Sequence, residues 1–332
     1  MGMSRRAFLA TAGAGAAALA FGSVRASAQG TPRVLRLSHG NPENDSVHKA
    51  ALHMAELVKE RTDGGVVIKV FANGSLGNDS SMVSSVRGGT IEMGWTGNPF
   101  FSGIAPKLNV LDLPFIFRDR AHVARVIDGP IGDSLRAELL AANLVTLSTW
   151  EIGWRNVTNK RRPVVSPGDV KGLKIRTTPN PAHIKAFQLL GATPVPMAFT
   201  ELFTALEMGT VDGQENPVSL ILNAKFFEVQ KHLSLTQHAF TTAPLIINKA
   251  KFDALPPNFQ KALLDSAKEA GMLQRKMNVE SEATGVAALR KAGMEVNEKV
   301  DREAFRKIVF EEVKKDFVTK FGSELPDKIL AA

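Results

Sequence analysis

Three observations predict an α/β protein of two domains. Short β-branched segments alternate with amphipathic helical patterns, as where Val66-Val-Ile-Lys-Val-Phe71 is followed by a run packed through Met82, Val83 and Val86. Two extended runs, Leu144 to Asn156 and His238 to Asn248, are long enough to cross between domains. A helical pattern from Pro256-Pro257 to about Ala292 has no internal proline; it exceeds a normal globular helix and would span both domains. The chain has 332 residues and is 44% apolar, enough for two cores.

The first 28 residues read as an address. Ser4-Arg5-Arg6 with Phe8-Leu9 is a twin-arginine pattern, Ala7 to Gly22 is mildly apolar, and Ala26-Ser27-Ala28 is a small-x-small cleavage site. The apolar run is shorter than the roughly 20 residues that span a bilayer. Export to the periplasm is therefore expected.

Beyond it, Val34-Leu-Arg-Leu37 reads as a strand, and Asp45 or Ser46 caps a helix with the apolar face Val47, Ala51, Met54, Leu57 and Val58. Gly64-Gly65 stops that helix, and Val66–Phe71 is the next strand. Asn78 or Asp79 caps the following helix, Gly88-Gly89 ends it, and Ile91 to Trp95 is a third strand. Such βαβ units predict a largely parallel sheet. Asn109 to Phe117, broken by Pro114, is a buried connector; helical patterns cover Arg120–Ile127 and Ile131–Ala141. Gly271 and Gly285 could bend or split the long helix, Met294-Glu-Val296 is a short strand, and Asp301 caps an amphipathic helix through Phe317. The expected division is a signal peptide over 1–28, one domain from 29–152 plus about 242–282, a second from 153–241 plus about 283–322, and a tail over 323–332.

One stretch carries the chemistry. Gly172-Leu-Lys-Ile-Arg176 is a short strand that delivers an arginine ahead of the Pro179-Asn180-Pro181 turn. A helix from Ala182 to Leu190, the elbow Pro194 to Phe199 and a second helix follow, and Val211-Asp-Gly-Gln-Glu-Asn-Pro217 reads as a tight polar turn. The layout puts a guanidinium and an Asn side chain at successive strand ends, the rim where open α/β sheets bind ligands. A planar guanidinium grips both oxygens of a carboxylate; a surface salt bridge is the plainer alternative. Asn216 can donate and accept, or simply serve turn chemistry.

Gly172-Leu-Lys-Ile-Arg176, Pro196-Met-Ala-Phe199, Val211 to Pro217, Phe226-Phe-Glu-Val-Gln230 and Leu255-Pro-Pro-Asn-Phe-Gln260 occur in an order and spacing that resembles the extracytoplasmic solute-binding proteins of TRAP transporters, dicarboxylate-binding type. Gly74-Ser-Leu-Gly77 resembles that family too, and the match runs from about Val34 to Phe321. The resemblance implies a periplasmic-binding-protein clamshell with two crossing β-strands and a long helix across both domains. It also implies no catalysis and no cofactor, with a small carboxylate ligand handed to a TRAP membrane permease.

The resemblance makes Arg176 the carboxylate-binding arginine and Arg155 a second, the alternative for Arg155 being an interdomain ion pair near the hinge. Phe199 corresponds to an aromatic that packs on the ligand's carbon skeleton, unless it is core. Asn180 matches a family Asn if one residue is inserted. His238 falls where sialic-acid binders carry a ligand histidine, and His39 lies in a loop that lines the cleft; either could be structural. Glu215 accepts from ligand hydroxyls or caps the turn. Asn78 sits where sialic-acid binders carry an Asp, and Gly97 stands near where they carry a Glu, which argues against sialic acid. The lining suits a C4-dicarboxylate or a sugar acid such as a uronate or aldonate.

Composition narrows the alternatives. The absence of cysteine excludes disulfides, thiolate metal sites and thiol chemistry. No dinucleotide, phosphate-loop, zinc-protease or nucleophile-elbow motif supports a periplasmic enzyme. Seven histidines without a clustered His/carboxylate motif argue against a transition-metal centre. The 41 Lys and Arg less the three in the first 28 residues leave 38 against 33 Asp and Glu, a diffuse +5 that suits small anions and not nucleic acid. A clamshell receptor of an ABC or tripartite tricarboxylate system shares the fold class; only the ordered motifs favour the TRAP type.

Overall fold

The computed structural model describes residues 31–332, so the expected signal peptide lies outside the described residues. The first lobe opens with β1 (Arg33–His39), α1 (Ser46–Arg61), β2 (Val66–Phe71), α2 (Asp79–Gly88) and β3 (Met93–Trp95). The caps follow side-chain chemistry. The Asp45 carboxylate accepts from the Val47 amide and Asn78 from the Ser81 amide, satisfying amides that have no helical partner. The expected connector forms a 3-10 segment, Pro106–Asp112, ahead of α3 (Arg120–Ile127) and α4 (Pro130–Ala141).

The second part runs β4 (Leu144–Asn159), β5 (Lys174–Thr177), α5 (Pro181–Leu189), β6 (Thr193–Pro196), α6 (Leu202–Glu207), β7 (Gly213–Asn216) and α7 (Val218–Asn223). The chain continues through β8 (His232–Asn248), α8 (Lys249–Asp253), α9 (Pro257–Lys291), β9 (Glu295–Asn297), α10 (Arg302–Phe321) and α11 (Glu324–Ala331).

All nine strands among the described residues form one sheet in the order β2-β1-β3-β8-β4-β7-β5-β6, with β9 beside β8. The expectation of a largely parallel sheet is corrected. Two parallel wings, β2-β1-β3 and β7-β5-β6, flank an antiparallel pair that runs from Leu144↔Asn248 to Asn159↔His232. Those are the two crossing strands, and the second begins at His232, earlier than expected. Register shifts interrupt the pair between Glu151 and Gly153 and between Arg155 and Val157, and Gly153 takes φ +122°, a value its lack of a Cβ permits.

Other expectations also shift. The polar "turn" at Val211–Pro217 contains β7, buried between β4 and β5. Its polar side chains find partners inside the sheet: Gln214 Nε2 donates to Thr158 Oγ1 at 2.9 Å, and Asn216 Nδ2 to Gln214 Oε1 at 2.6 Å. The elbow Pro194–Phe199 includes most of β6, whose prolines are tolerated because it is an edge strand. The expected tail is α11, with Ile329 fully buried.

α9 is unbroken over 35 residues. Its glycines are places of close approach: a Cβ on Gly271 would lie 2.7 Å from the Trp150 ring, and one on Gly285 would lie 2.7 Å from Val218. Trp150 Nε1 donates to Ala267 O at 3.0 Å, and Gln274 Nε2 to Glu151 O at 2.7 Å, tying the helix to β4 at its irregular point. Gly271→Ala should gain about 1 kcal/mol of helix propensity yet lose more by overpacking, because Trp150 is buried and held by its hydrogen bond. A net loss of about 1–2 kcal/mol in urea denaturation is expected; an unchanged midpoint would mean that the indole yields.

Candidate functional site

β5 carries Arg176 to the end of the second wing, where the chain turns through Pro179 into α5. The side chain is 1% exposed, and its Nε and Nη2 both donate to Met197 O, at 3.1 and 2.7 Å. Among the described residues no carboxylate forms an ion pair with it. Burial lowers its pKa to about 10, with Glu215 opposing the shift, so it remains a cation at neutral pH. A buried cation without an ion-paired carboxylate, and with donors to spare, is a candidate anion site.

Arg155 on β4 stands differently. Its Nε and Nη2 grip the two carboxylate oxygens of Glu215, the latter at 2.8 Å, and Nη2 also reaches Glu215 O at 2.7 Å. Nη1 donates to Thr241 Oγ1 at 3.3 Å. His238 Nε2 lies 3.3 Å from Glu215 Oε2, and its Nδ1 lies 2.8 Å from Thr236 Oγ1. Burial would raise the Glu215 pKa, but Arg155 and His238 hold it well below the usual carboxylate range. The structure thus places Arg155, Glu215 and His238 in one internally satisfied charge cluster, with Asn216 Oδ1 accepting from Arg155 Nη2 at 3.3 Å.

Two of the expected residues are occupied elsewhere. Asn78 caps α2 with its side-chain oxygen, and the residue that turns inward is its neighbour Asp79, 6% exposed. Asp79 accepts from Thr96 Oγ1 at 2.6 Å and from the Phe199 amide at 3.3 Å. Asn180 caps α5, and its amide nitrogen bridges Asn109 Oδ1 and Asp112 Oδ2 at 3.0 and 3.1 Å. Phe199 is half-buried, with its ring tilted against Phe226. His39 Nε2 is 3.1 Å from His48 Nδ1.

Sequence reasoning missed a pattern of unpaired atoms. The last residues of β1, β3 and β5 are His39, Trp95 and Thr177, all buried, and Nδ1, Nε1 and Oγ1 respectively meet no protein partner. His39 and Trp95 are cross-strand neighbours. Buried polar atoms normally find partners, so three strand ends with orphans are a candidate position for a ligand, the edge at which open α/β sheets take them. The sequence signal was only their position at strand ends, visible once the ends are known.

Three contacts join the loops of the first wing to segments around the second. Asp79 meets Phe199, Asn223 Nδ2 donates to Asp45 Oδ2 at 3.0 Å, and a Cβ on Gly74 would lie 2.6 Å from Thr200. His39 is held neutral: burial, then His48, lowers its pKa to about 3. A group depressed on folding contributes stability above its unfolded pKa near 6.5 and loses it as pH falls toward 3. Replacing His39 with Asn should flatten the fall in stability between pH 6 and 4 by about one proton, or roughly 1.4 kcal/mol per pH unit. Parallel stability curves for variant and wild type would show that His39 does not carry that proton.

A family model described as bacterial extracellular solute-binding protein, family 7, matches residues 37–320. The chain is 48% identical over 284 residues to the 2,3-diketo-L-gulonate-binding periplasmic protein of Escherichia coli, covering 86% of this chain and 87% of that one. Among solved structures, a TRAP periplasmic solute-binding protein from a Polaromonas species bound to D-erythronate aligns with a TM-score of 0.88 at 38% identity, over 90% of this chain and 99% of that one. The sugar acid binding protein of Advenella mimigardefordensis in complex with galactonate aligns with a TM-score of 0.88 at 35% identity, over 91% and 97%. The fold is the clamshell of these proteins, and the chain belongs to family 7 of the bacterial extracellular solute-binding proteins, the periplasmic binding components of TRAP transporters.

Proposed function

We propose that this protein captures a sugar acid in the periplasm, seats its carboxylate on Arg176 and delivers it to the two membrane subunits of a TRAP permease. The observation that carries the reading is the buried Arg176 guanidinium with no carboxylate partner, at the end of β5 beside the internally paired Arg155–Glu215 cluster. A carboxylate placed there gains charge-assisted bonds, and it relieves a desolvated cation. Asn216 and Phe199 complete the grip from the same lobe, and His39, with Asp79 in place of Asn78, faces it from the other. Glu215 and His238 act by fixing Arg155, and Asn180 by fixing the start of α5.

Relatives support a sugar acid over a plain dicarboxylate. Those named for diketogulonate, erythronate and galactonate are 48%, 38% and 35% identical to this chain; those named for C4-dicarboxylate and succinate are 32% and 27% identical. The lobes we assign are 29–152 with about 242–282, and 153–241 with about 283–322. They close by bending β4 and β8 at the Glu151–Gly153 irregularity, and the ligand favours closure through its differential contacts with the two walls.

Two measurements test the reading. Arg176→Ala should weaken the binding of the preferred acid roughly 30-fold or more by calorimetry, since truncating one partner of a buried charge pair costs about 2–5 kcal/mol. Near-unchanged affinity would remove Arg176 from the site. In a thermal-shift panel of aldonates, uronates, keto acids and dicarboxylates, a true ligand at 100 times its Kd should add about 2.7 kcal/mol; no stabilisation by any acid would overturn carboxylate capture altogether.

A further inference from the structure

Behind the Arg155–Glu215 pair the polar interior continues into a second cluster that the carboxylate grip does not use. His183 sits on the first turn of α5 and Asp112 closes the 3-10 segment Pro106–Asp112; they are 2% and 0% exposed. His183 Nδ1 lies 2.8 Å from Thr178 Oγ1, and burial lowers its pKa to about 3, leaving the ring neutral. A threonine hydroxyl that donates to Nδ1 puts the ring proton on Nε2. That Nε2 has no protein partner.

Asp112 is the counterpart. Its Oδ2 accepts from Asn180 Nδ2 at 3.1 Å, burial raises its pKa well above the usual carboxylate range, and among the described residues its Oδ1 has no partner. The two orphaned atoms are 4.0 Å apart. That is too far for a direct hydrogen bond, yet it is spanned by one oxygen about 2.8 Å from each. The cluster adjoins the guanidinia: His183 meets Thr178, two residues beyond Arg176, and Phe187 on the same helix packs edge-on against His238, which lies 3.3 Å from Glu215.

We propose that His183 Nε2 and Asp112 Oδ1 form a hydroxyl subsite, holding one hydroxyl of a polyhydroxylated acid whose carboxylate rests on Arg176. A hydroxyl can both donate and accept and so satisfies Nε2 and Oδ1 together, whichever of them carries the proton, whereas a methylene would leave both atoms buried and unpaired. The inference rests on the sugar-acid reading above and names the group that separates a sugar acid from an unsubstituted dicarboxylate. A permanently held water would satisfy the same two atoms and is the competing occupant.

Calorimetry of the wild type with D-erythronate, D-galactonate, D-galacturonate and succinate comes first. The tightest sugar acid is then compared with its mono-deoxy analogues in wild type, Asp112→Ala, His183→Phe and Thr178→Val. One deoxy analogue should bind the wild type roughly tenfold or more weakly than its parent. In each variant that analogue and the parent should fall within about twofold of one another, the mark of a coupling removed. Thr178→Val leaves both subsite side chains in place and releases only the ring tautomer, so it keeps the test alive if the core variants misfold. No hydroxyl-sensitive analogue in the wild type, or sensitivity that persists in the variants, means a held water and overturns the proposal. Succinate binding without any sugar acid overturns the subsite but leaves carboxylate capture standing; no acid bound overturns both.

Discussion

Two guanidinium groups are buried at one end of the sheet, and only one has a carboxylate. Desolvating each ion costs several kcal/mol. For Arg155 the protein offsets that cost with the Glu215 carboxylate, the Glu215 carbonyl and the Asn216 amide oxygen. For Arg176 it supplies the Met197 carbonyl alone. The neighbourhood keeps this asymmetry intact. Glu215 is pinned by Arg155 and His238 and cannot swing over, and Asp79 is engaged with Thr96 and Phe199. A site built this way favours an anion of fixed position, because the cation it neutralises has nowhere to move.

The fold brings that asymmetry beside the strand ends of the two wings. Parallel wings present strand ends, and their last residues, His39, Trp95 and Thr177, carry the unpaired polar atoms. The antiparallel pair β4–β8 joins the wings through one long ladder broken by register shifts. α9 lies along that pair and bonds to it where β4 is irregular, through Gln274 and Asn278 to Glu151 O at 2.7 and 3.2 Å. α9 thereby anchors β4 at its irregular stretch, while each wing keeps its own hydrophobic backing.

The element pattern was largely legible in the chain. The bounds of β2, α3 and α9, and the caps at Asp45, Asn78 and Asp301, follow from β-branching, apolar periodicity and side-chain oxygens at helix starts. β7 was misread because Asp-Gly and Asn-Pro are turn dipeptides, and nothing local shows that a sheet will bury Gln214, Glu215 and Asn216 with partners for each. The glycines of α9 read as breaks because their reason, the Trp150 ring and Val218, lies far away in the chain.

Sequence alone determined the α/β class, the crossing strands, the long helix and Arg176 as a strand-end cation, since each rests on local periodicity or on a side chain's own chemistry. Tertiary structure decided the rest. Pairing is a property of neighbours brought together from distant parts of the chain, so only the fold could show that Arg155 is spent on Glu215 while Arg176 is not. For the same reason only the fold turned Asp79 inward in place of Asn78, and left His183 Nε2 and Asp112 Oδ1 unpaired 4.0 Å from one another.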